Sequence, residues 1–146
     1  MEDMHYEILE KYCRLVADVL GLVGFKITVE REAPNDEDAY ACCGVVEGRS
    51  IVIIRFCENF HEVDPDDQRE IVIHELLHGL YNRMFYYAMN EYNHVASTAQ
   101  DDMFIRGLTD LYELATDRLA FSLSKAIDKD RIPMIEWPKD VEFIEE

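Results

Sequence analysis

The stretch of sequence that decides the fold runs from residue 64 to residue 80 and reads DPDDQREIVIHELLHGL. Its first residues are typical of a helix start, because Asp64 can cap the helix and Pro65 suits the first helical position. The two acids that follow favour the positive end of the helix dipole. We therefore predict a helix from about Pro65 to about Tyr87, and this helix contains the pattern His-Glu-x-x-His.

The spacing of this pattern predicts a metal site. His74 and His78 are four residues apart, so a helix places both on one face, where both imidazoles can reach a single Zn²⁺ at about 2.0–2.1 Å. Glu75 lies beside that face and can take a proton from water that zinc has acidified, from a pKa of 15.7 to roughly 7. The composition predicts only about 0.02 chance matches, so a zinc site is favoured over two packed or solvent-facing histidines.

A catalytic zinc usually has three protein ligands and a water, so a third ligand must lie elsewhere in the chain. In the longer pattern HExxHxxGxxH the third histidine would fall on Met84 and the glycine on Tyr81, which excludes the metzincin arrangement. Downstream, Glu113 is the favoured third ligand, and Asp117, one helical turn later, could accept the N–H of a ligating histidine. The competing ligands are Asp110, Asp117 and, more weakly, His94.

The rest of the chain predicts two further helices and three strands. Apolar residues at helical spacing predict a first helix over residues 3–20, which ends near Gly21 and Gly24. Strand patterns, separated by the loop 33–38 and a hairpin turn at 47–49, cover Phe25–Glu30, Tyr40–Val46 and Ser50–Phe56. After the motif helix come a polar connection, a last helix and an extended tail, at Asn90–Asp102, roughly Met103–Ile127 and 131–146. This order predicts one α+β domain over residues 1–146.

Composition and charge narrow the function classes. Hydrophobic residues make up 49% of the 146 residues, which excludes a wholly disordered or low-complexity chain. The 31 acidic residues outnumber the 14 Lys and Arg and give a formal net charge of −17. Such a surface repels phosphate backbones, so we expect no nucleic-acid partner. The charge also supports an alternative, in which the chain is an acidic interaction protein or nucleic-acid mimic with a structural zinc site.

The chain shows no signal of an oxidising or membrane environment. The N-terminus lacks the basic and apolar regions of a signal peptide, and no apolar run approaches the ~20 residues of a membrane span. We therefore expect a cytoplasmic protein without a membrane partner, and reduced, mostly buried thiols at Cys13, Cys42, Cys43 and Cys57. For the adjacent pair, Cys42 and Cys43, packing is favoured over a redox role and over metal contact. His5 and His61 stand alone in polar surroundings and are expected on the surface.

At its motif residues the sequence resembles the gluzincins, zinc metallopeptidases that combine HExxH with a downstream Glu-x-x-x-Asp. The likeness is to the smallest members and to metallopeptidases encoded in phage and prophage genomes, and it covers roughly Lys26–Ile127. It implies a minimal zincin-like domain in which a motif helix and a glutamate helix hold zinc through His74, His78 and Glu113. It also implies that Glu75 is the general base and that Asp117 accepts a hydrogen bond from a zinc-ligating histidine.

The resemblance implies a peptide or protein substrate that pairs with an exposed strand edge, which chain order matches to Tyr40–Val46. The expected activity is zinc-dependent peptide hydrolysis by an endopeptidase rather than an exopeptidase, in the host's cytoplasm if the chain is phage-encoded. The gap between His78 and Glu113 is longer than in compact members, so Phe85–Asp102 is expected to rim or cover the cleft. The residue that stabilises the oxyanion is left open among Tyr81, Tyr86, Tyr87, Tyr92, His94 and Tyr112.

Overall fold

A computed structural model describes residues 1–46, 48–93 and 98–138, with the backbone alone at residue 93 and residues 98–101. Three helices, three strands and a short 3-10 turn follow in the order α1 (Asp3–Val19), β1 (Lys26–Glu30), β2 (Ala41–Val45), β3 (Ile51–Phe56), the turn (Phe60–Glu62), α2 (Pro65–Asn93) and α3 (Thr98–Ala126). The predicted α+β class, with three helices and a small three-stranded mixed sheet, is confirmed. That residues 1–146 form one domain, with a core at about 26–127, stays a prediction.

The sheet places β3 in the centre, with β1 parallel to it and β2 antiparallel to it. In β3 every second side chain is buried, at Val52, Ile54 and Phe56, as expected of a central strand with one face on the core. The three strands match their predicted ranges to within one residue at each end. The strand predicted at Tyr40–Val46 therefore lies at an edge of the sheet.

The start of α2 forms as the sequence predicts. The Asp64 carboxylate accepts a hydrogen bond from the Asp66 amide at 2.9 Å, and the Asp64 carbonyl accepts one from the Gln68 amide at 2.8 Å. Further along, the apolar face of α2 is buried in the core at Val72, Ile73, Leu76 and Leu77. Burial of that face leaves the histidines of the motif on another side of the helix.

Gly79 lets α2 approach the sheet closely. A Cβ atom at this position would lie 3.0 Å from Val52 Cγ2 of β3, which is tighter than ordinary van der Waals contact. Since Gly79 directly follows His78, this close approach also fixes how far the histidine-bearing turn stands from the sheet.

The polar connection predicted at Asn90–Asp102 is wrong, because α2 continues to Asn93 and α3 begins at Thr98. Residues 80–106 contain neither Gly nor Pro, so nothing in the sequence breaks either helix, and exposed helical turns do not need an apolar stripe. Aromatic rings instead join the two helices, with Tyr92 stacked on Phe104 at 3.7 Å and Phe85 on Tyr112 at 4.5 Å. Residues 94–97, and Glu47 of the predicted hairpin turn, lie outside the described residues.

A buried arginine ties α2 to the segment that follows α3. Arg69 is 1% exposed, and its guanidinium donates to the carbonyls of Ser124, Ile127 at 2.6 Å and Ile132 at 2.7 Å. The last carbonyls of a helix lack intrahelical partners and carry its negative dipole end, so a buried cation satisfies them. Beyond Ile132, residues 133–138 form neither helix nor strand, and residues 139–146 of the predicted extended tail lie outside the described part.

His5 and His61 do not stand alone, contrary to the expectation from sequence. Their rings stack with centroids 4.9 Å apart, and the Trp137 ring meets His5 edge-on at 5.3 Å. Trp137 Nε1 also donates to Gln68 Oε1 at 3.1 Å, so this cluster joins α1, the 3-10 turn, α2 and the tail. The sequence separates these four residues too widely for a local pattern to reveal the contact.

All four cysteines are free thiols, and burial raises the pKa of Cys13 and Cys43 well above the ordinary value. Cys43 packs against the core, as favoured for this residue, whereas the packing role of Cys42, which is half-buried, stays a prediction. Among the helices of the described residues, none is both long and apolar enough to cross a bilayer.

Candidate metal centre

The two histidines of the motif direct the same ring nitrogen toward one point. Because His74 and His78 lie one turn apart on α2, their Nε2 atoms come within 2.9 Å of each other. Both side chains are mostly buried, at 18% and 15% exposure. The pair is therefore a preformed two-nitrogen donor set on a rigid helix.

Glu113 reaches this pair from α3. One of its carboxylate oxygens, Oε2, lies 3.6 Å from His74 Nε2 and 3.4 Å from His78 Nε2. The three ligand atoms all lie within 4.8 Å of one another, which brings together the three ligands predicted from the sequence. The separation of 35 residues between His78 and Glu113 is closed by the packing of α2 against α3.

The donor set fits zinc in its chemistry and its spacing. Zinc held tetrahedrally at about 2.0–2.2 Å separates two ligand atoms by about 3.3–3.6 Å. Both distances from Glu113 fall in that interval, and the two histidine nitrogens are slightly closer together. Two imidazoles and one carboxylate form a ligand set found at catalytic rather than structural zinc sites.

Asp117 contacts the other nitrogen of His74. Its Oδ1 lies 3.0 Å from Nδ1, so a neutral His74 that donates from Nδ1 keeps the lone pair of Nε2 free. Asp117 thus makes the contact that its predicted role requires, and the role itself, to orient a zinc-ligating histidine, stays a prediction. The competing ligand Asp110 does not belong to the converging group in the described chain, and His94 lies outside the described residues.

The surroundings keep both imidazoles neutral. Burial lowers the pKa of His74 and of His78, and at His74 the neighbouring His78 ring lowers it further while Asp117 opposes the shift. A neutral imidazole is the form that binds metals, so the site does not have to displace a proton from either ring at pH 7. Burial raises the pKa of Glu113, because a carboxylate loses hydration there.

Glu75 is the most unusual group of the site. Its side chain is only 7% exposed, and no hydrogen bond or ion pair to another described residue holds its carboxyl. Burial, with the Glu113 carboxylate as a second cause, raises the pKa of Glu75 to about 8. The group can therefore both hold and release a proton near neutral pH, which is what a general base and acid requires.

Two cavities meet at His74 and Glu75, one on each side along β2. The larger, about 560 Å³, extends past His78 and is bordered by Phe85, Tyr86, Met89 and Tyr112 of the helix pair. The smaller, about 290 Å³, extends toward the N-terminal half of α2 and is bordered by Asp38, Glu70 and Asp117. The extended helix pair thus rims the larger cavity through Phe85, Tyr86 and Met89, while the smaller cavity is acidic.

The outer edge of β2 offers backbone groups to this groove. At the two ends of the β2–β3 pair, the Cys57 amide donates to the Tyr40 carbonyl at 2.8 Å and the Val46 amide to the Ile51 carbonyl at 3.1 Å. Since antiparallel hydrogen bonding alternates along a strand, the intervening even-numbered residues also face β3. The N–H and C=O groups of the odd-numbered residues face the open edge; these are Ala41, Cys43 and Val45.

Two acidic residues, Glu70 and Asp38, border the site although no role there is predicted for them from the sequence. Glu70 precedes His74 by four residues and so shares its helix face, a signal that the sequence contained. Asp38 enters through the loop before β2 and had no such signal. Tyr112 was one of six open candidates for the oxyanion; its hydroxyl lies 3.4 Å from the His78 carbonyl and its ring 5.0 Å from the His78 ring.

The other tyrosines considered for the oxyanion lie in different parts of the α2–α3 pair. Tyr86 borders the larger cavity, Tyr81 borders a separate apolar groove between α2 and α3, and Tyr92 stacks on Phe104. Tyr87 is 68% exposed on the outside of the helix pair. Cys43 borders the larger cavity, but neither Cys42 nor Cys43 belongs to the converging ligand group in the described chain.

Comparison with protein-family models, with curated proteins and with solved structures finds no match to this chain. The resemblance to gluzincins therefore stays a prediction from the motif residues.

Proposed function

We propose that this protein is a zinc-dependent peptidase of minimal gluzincin type. The observation that carries the proposal is the convergence of His74, His78 and Glu113, whose ligand atoms lie within 4.8 Å of one another and whose side chains border the larger cavity. Three protein ligands are the number typical of catalytic zinc, which keeps one position for water or substrate.

In this proposal, His74, His78 and Glu113 would hold zinc, which would supply a Lewis acid and lower the pKa of water at the site. Glu75 takes the proton from the attacking water and delivers it to the leaving nitrogen of the peptide. Its burial supports that double role, because loss of hydration raises the pKa of Glu75 toward neutral pH in the metal-free protein. Its burial keeps bulk water from competing for the proton.

Asp117 has a positioning role in the same proposal. Its carboxylate is 3.0 Å from His74 Nδ1 and so favours the tautomer whose Nε2 carries the lone pair. It also fixes the orientation of the ring, because the hydrogen bond and the attachment of His74 to α2 together leave little rotational freedom. The result is a ligand aligned before metal arrives.

The substrate is proposed to be a peptide that adds to the open edge of β2. Ala41, Cys43 and Val45 direct their N–H and C=O groups to that edge, and main-chain hydrogen bonds from such an edge bind an extended peptide without regard to its sequence. Cavities extend to both sides of His74, so chain can continue past the scissile bond in each direction. This supports an endopeptidase rather than an exopeptidase.

The test begins with metal analysis of the purified protein. We expect one zinc per chain, lost in His74→Ala and in Glu113→Ala and retained in Asp110→Asn, which changes an acid of α3 outside the ligand group. Cleavage of a mixed peptide library should stop when a chelator is added and return with zinc.

Glu75→Gln separates the chemistry from metal binding. This variant should retain its zinc and lose cleavage by about 10²- to 10⁴-fold, the range in which general bases contribute. Zinc bound without any peptide cleavage in the wild-type protein would overturn the peptidase proposal and favour a structural site. Absence of zinc would overturn the metal site itself.

A further inference from the structure

The smaller cavity beside the metal centre is rich in carboxylates and borders no basic side chain of Lys or Arg in the described chain. It has a volume of about 290 Å³ and is bordered by Asp38, Glu70, Glu75 and Asp117. Glu70 precedes His74 by one helical turn, so its carboxylate stands on the face of α2 that carries the ligands. The cavity thus continues the proposed site rather than forming a separate one.

Two of these carboxylates have no cation partner among the described residues. Asp117 is engaged with His74 Nδ1 at 3.0 Å, whereas neither Glu70 nor Asp38 comes within 4.0 Å of a basic nitrogen in that part of the chain. Among the described residues, Glu70 has only a long contact of 3.4 Å with the Ser124 hydroxyl. Arg118 borders a neighbouring surface depression together with Glu70 and forms no ion pair there in the described chain.

A second observation points to a ligand in the same cavity. The Glu75 carboxyl borders it, is 7% exposed, and has no hydrogen-bond partner among the described residues. The cavity also borders Ala41, whose backbone groups face the open edge of β2. A peptide paired with that edge would therefore direct the side chain of a residue next to the scissile bond toward these carboxylates.

We infer that this cavity is a side-chain subsite for lysine or arginine, and that the substrates are peptides with a basic residue adjacent to the scissile bond. The inference rests on the proposed peptidase function. Glu70 is the main specificity-determining residue, because it lies on the rigid helix beside His74, and Asp38 adds a second charge from the loop before β2. The positive head of a substrate side chain would make charge-assisted hydrogen bonds with both.

The test compares peptides that differ only at the residue next to the cleaved bond, with arginine, norleucine or glutamate there. With the zinc-loaded protein, we expect kcat/KM to be about tenfold higher for arginine than for norleucine. Glu70→Gln should remove most of that ratio, and Glu70→Lys should reverse it in favour of glutamate. The matched control is Glu7→Gln, which removes one exposed charge from α1, away from the groove.

Binding of the same peptides to zinc-loaded Glu75→Gln, measured by titration calorimetry, separates the two proposals. Arginine-dependent binding that Glu70 controls, without cleavage in wild type, would sustain the subsite and overturn the peptidase. Cleavage without a preference for arginine would overturn the subsite alone. An equal loss in Glu70→Gln and Glu7→Gln would also overturn it, because the preference would then come from the net charge.

Discussion

Replacing Glu75 by glutamine should make the metal-free protein more stable as well as inactive. The carboxyl has an ordinary pKa of 4.5 in the unfolded chain and about 8 in the folded one. Below pH 4.5 it is protonated in both states and carries no penalty. As the pH rises, the unfolded chain ionises first, so folded stability falls until about pH 8, above which both states are ionised.

The size of the effect follows from the two pKa values. Each pH unit between them costs the folded state roughly 1.4 kcal/mol, which amounts to about 3 kcal/mol at pH 7. A glutamine side chain at this position would have nearly the shape of the protonated glutamate and would not titrate. The variant should therefore match wild type near pH 4 and exceed it by about 3 kcal/mol at pH 7, with little further gain above about pH 8 or 9.

Urea unfolding in the presence of a chelator measures this difference. The single tryptophan, Trp137, is half-buried against His5 and Gln68 and reports the transition by its fluorescence. Glu91→Gln is the matched control: it removes an exposed carboxylate from the same helix and should leave the pH dependence unchanged. Parallel stability curves for wild type and Glu75→Gln between about pH 5 and pH 8 would refute the reasoning, because Glu75 would then be ionised at no cost.

Three further predictions concern the positioning of the site. Asp117→Asn should weaken zinc binding about 10- to 100-fold, measured by competition with a chelator, because His74 loses its charged acceptor; an unchanged affinity would remove Asp117 from the site. Gly79→Ala should destabilise the fold by about 1–3 kcal/mol, because the added methyl group would lie 3.0 Å from Val52 Cγ2. Gly107→Ala is the matched control: its methyl group would meet nothing within 4 Å, so the change should be neutral or stabilising by up to about 1 kcal/mol. Equal effects of the two glycine changes in thermal unfolding would contradict the close approach of α2 to the sheet. Arg69→Lys should lower the free energy of unfolding in urea by at least about 2 kcal/mol, because an ammonium lacks the forked donors that reach all three carbonyls. A loss below about 0.5 kcal/mol would contradict that role of Arg69.

The sequence predicts a helix or strand well where single residues or a simple alternating pattern determine it. Asp64 and Pro65 mark the start of α2 because capping and ring geometry act on single residues, and the Asp64 contact forms as expected. The strands are equally visible because one buried face imposes alternation on β3. In contrast, the polarity of residues 90–102 predicts a loop, whereas α2 continues to Asn93 and α3 begins at Thr98, because exposed turns need only residues that tolerate helix.

The long-range part of the site is harder to read. His74 and His78 are fixed relative to each other by helix periodicity, so four residues of spacing already predict their shared face. Glu113 meets them only through the packing of α2 on α3, and in the sequence only its Glu-x-x-x-Asp spacing to Asp117 distinguishes it from Asp110. Asp38 is less visible still, since its position depends on the path of a loop before β2.

The helix α2 packs against α3 and the sheet and also holds three of the residues of the proposed chemistry, His74, Glu75 and His78. α2 is fixed at its start by Asp64, against the sheet by Gly79 and to the end of α3 by Arg69. A rigid helix is what a ligand pair at i and i+4 needs, because small shifts of either ring would change the distance between their Nε2 atoms. The same helix holds the Glu75 carboxyl in a buried position, where ionisation lowers the free energy of unfolding. The burial that destabilises the folded protein at neutral pH is therefore the same burial that raises the pKa of Glu75 to about 8.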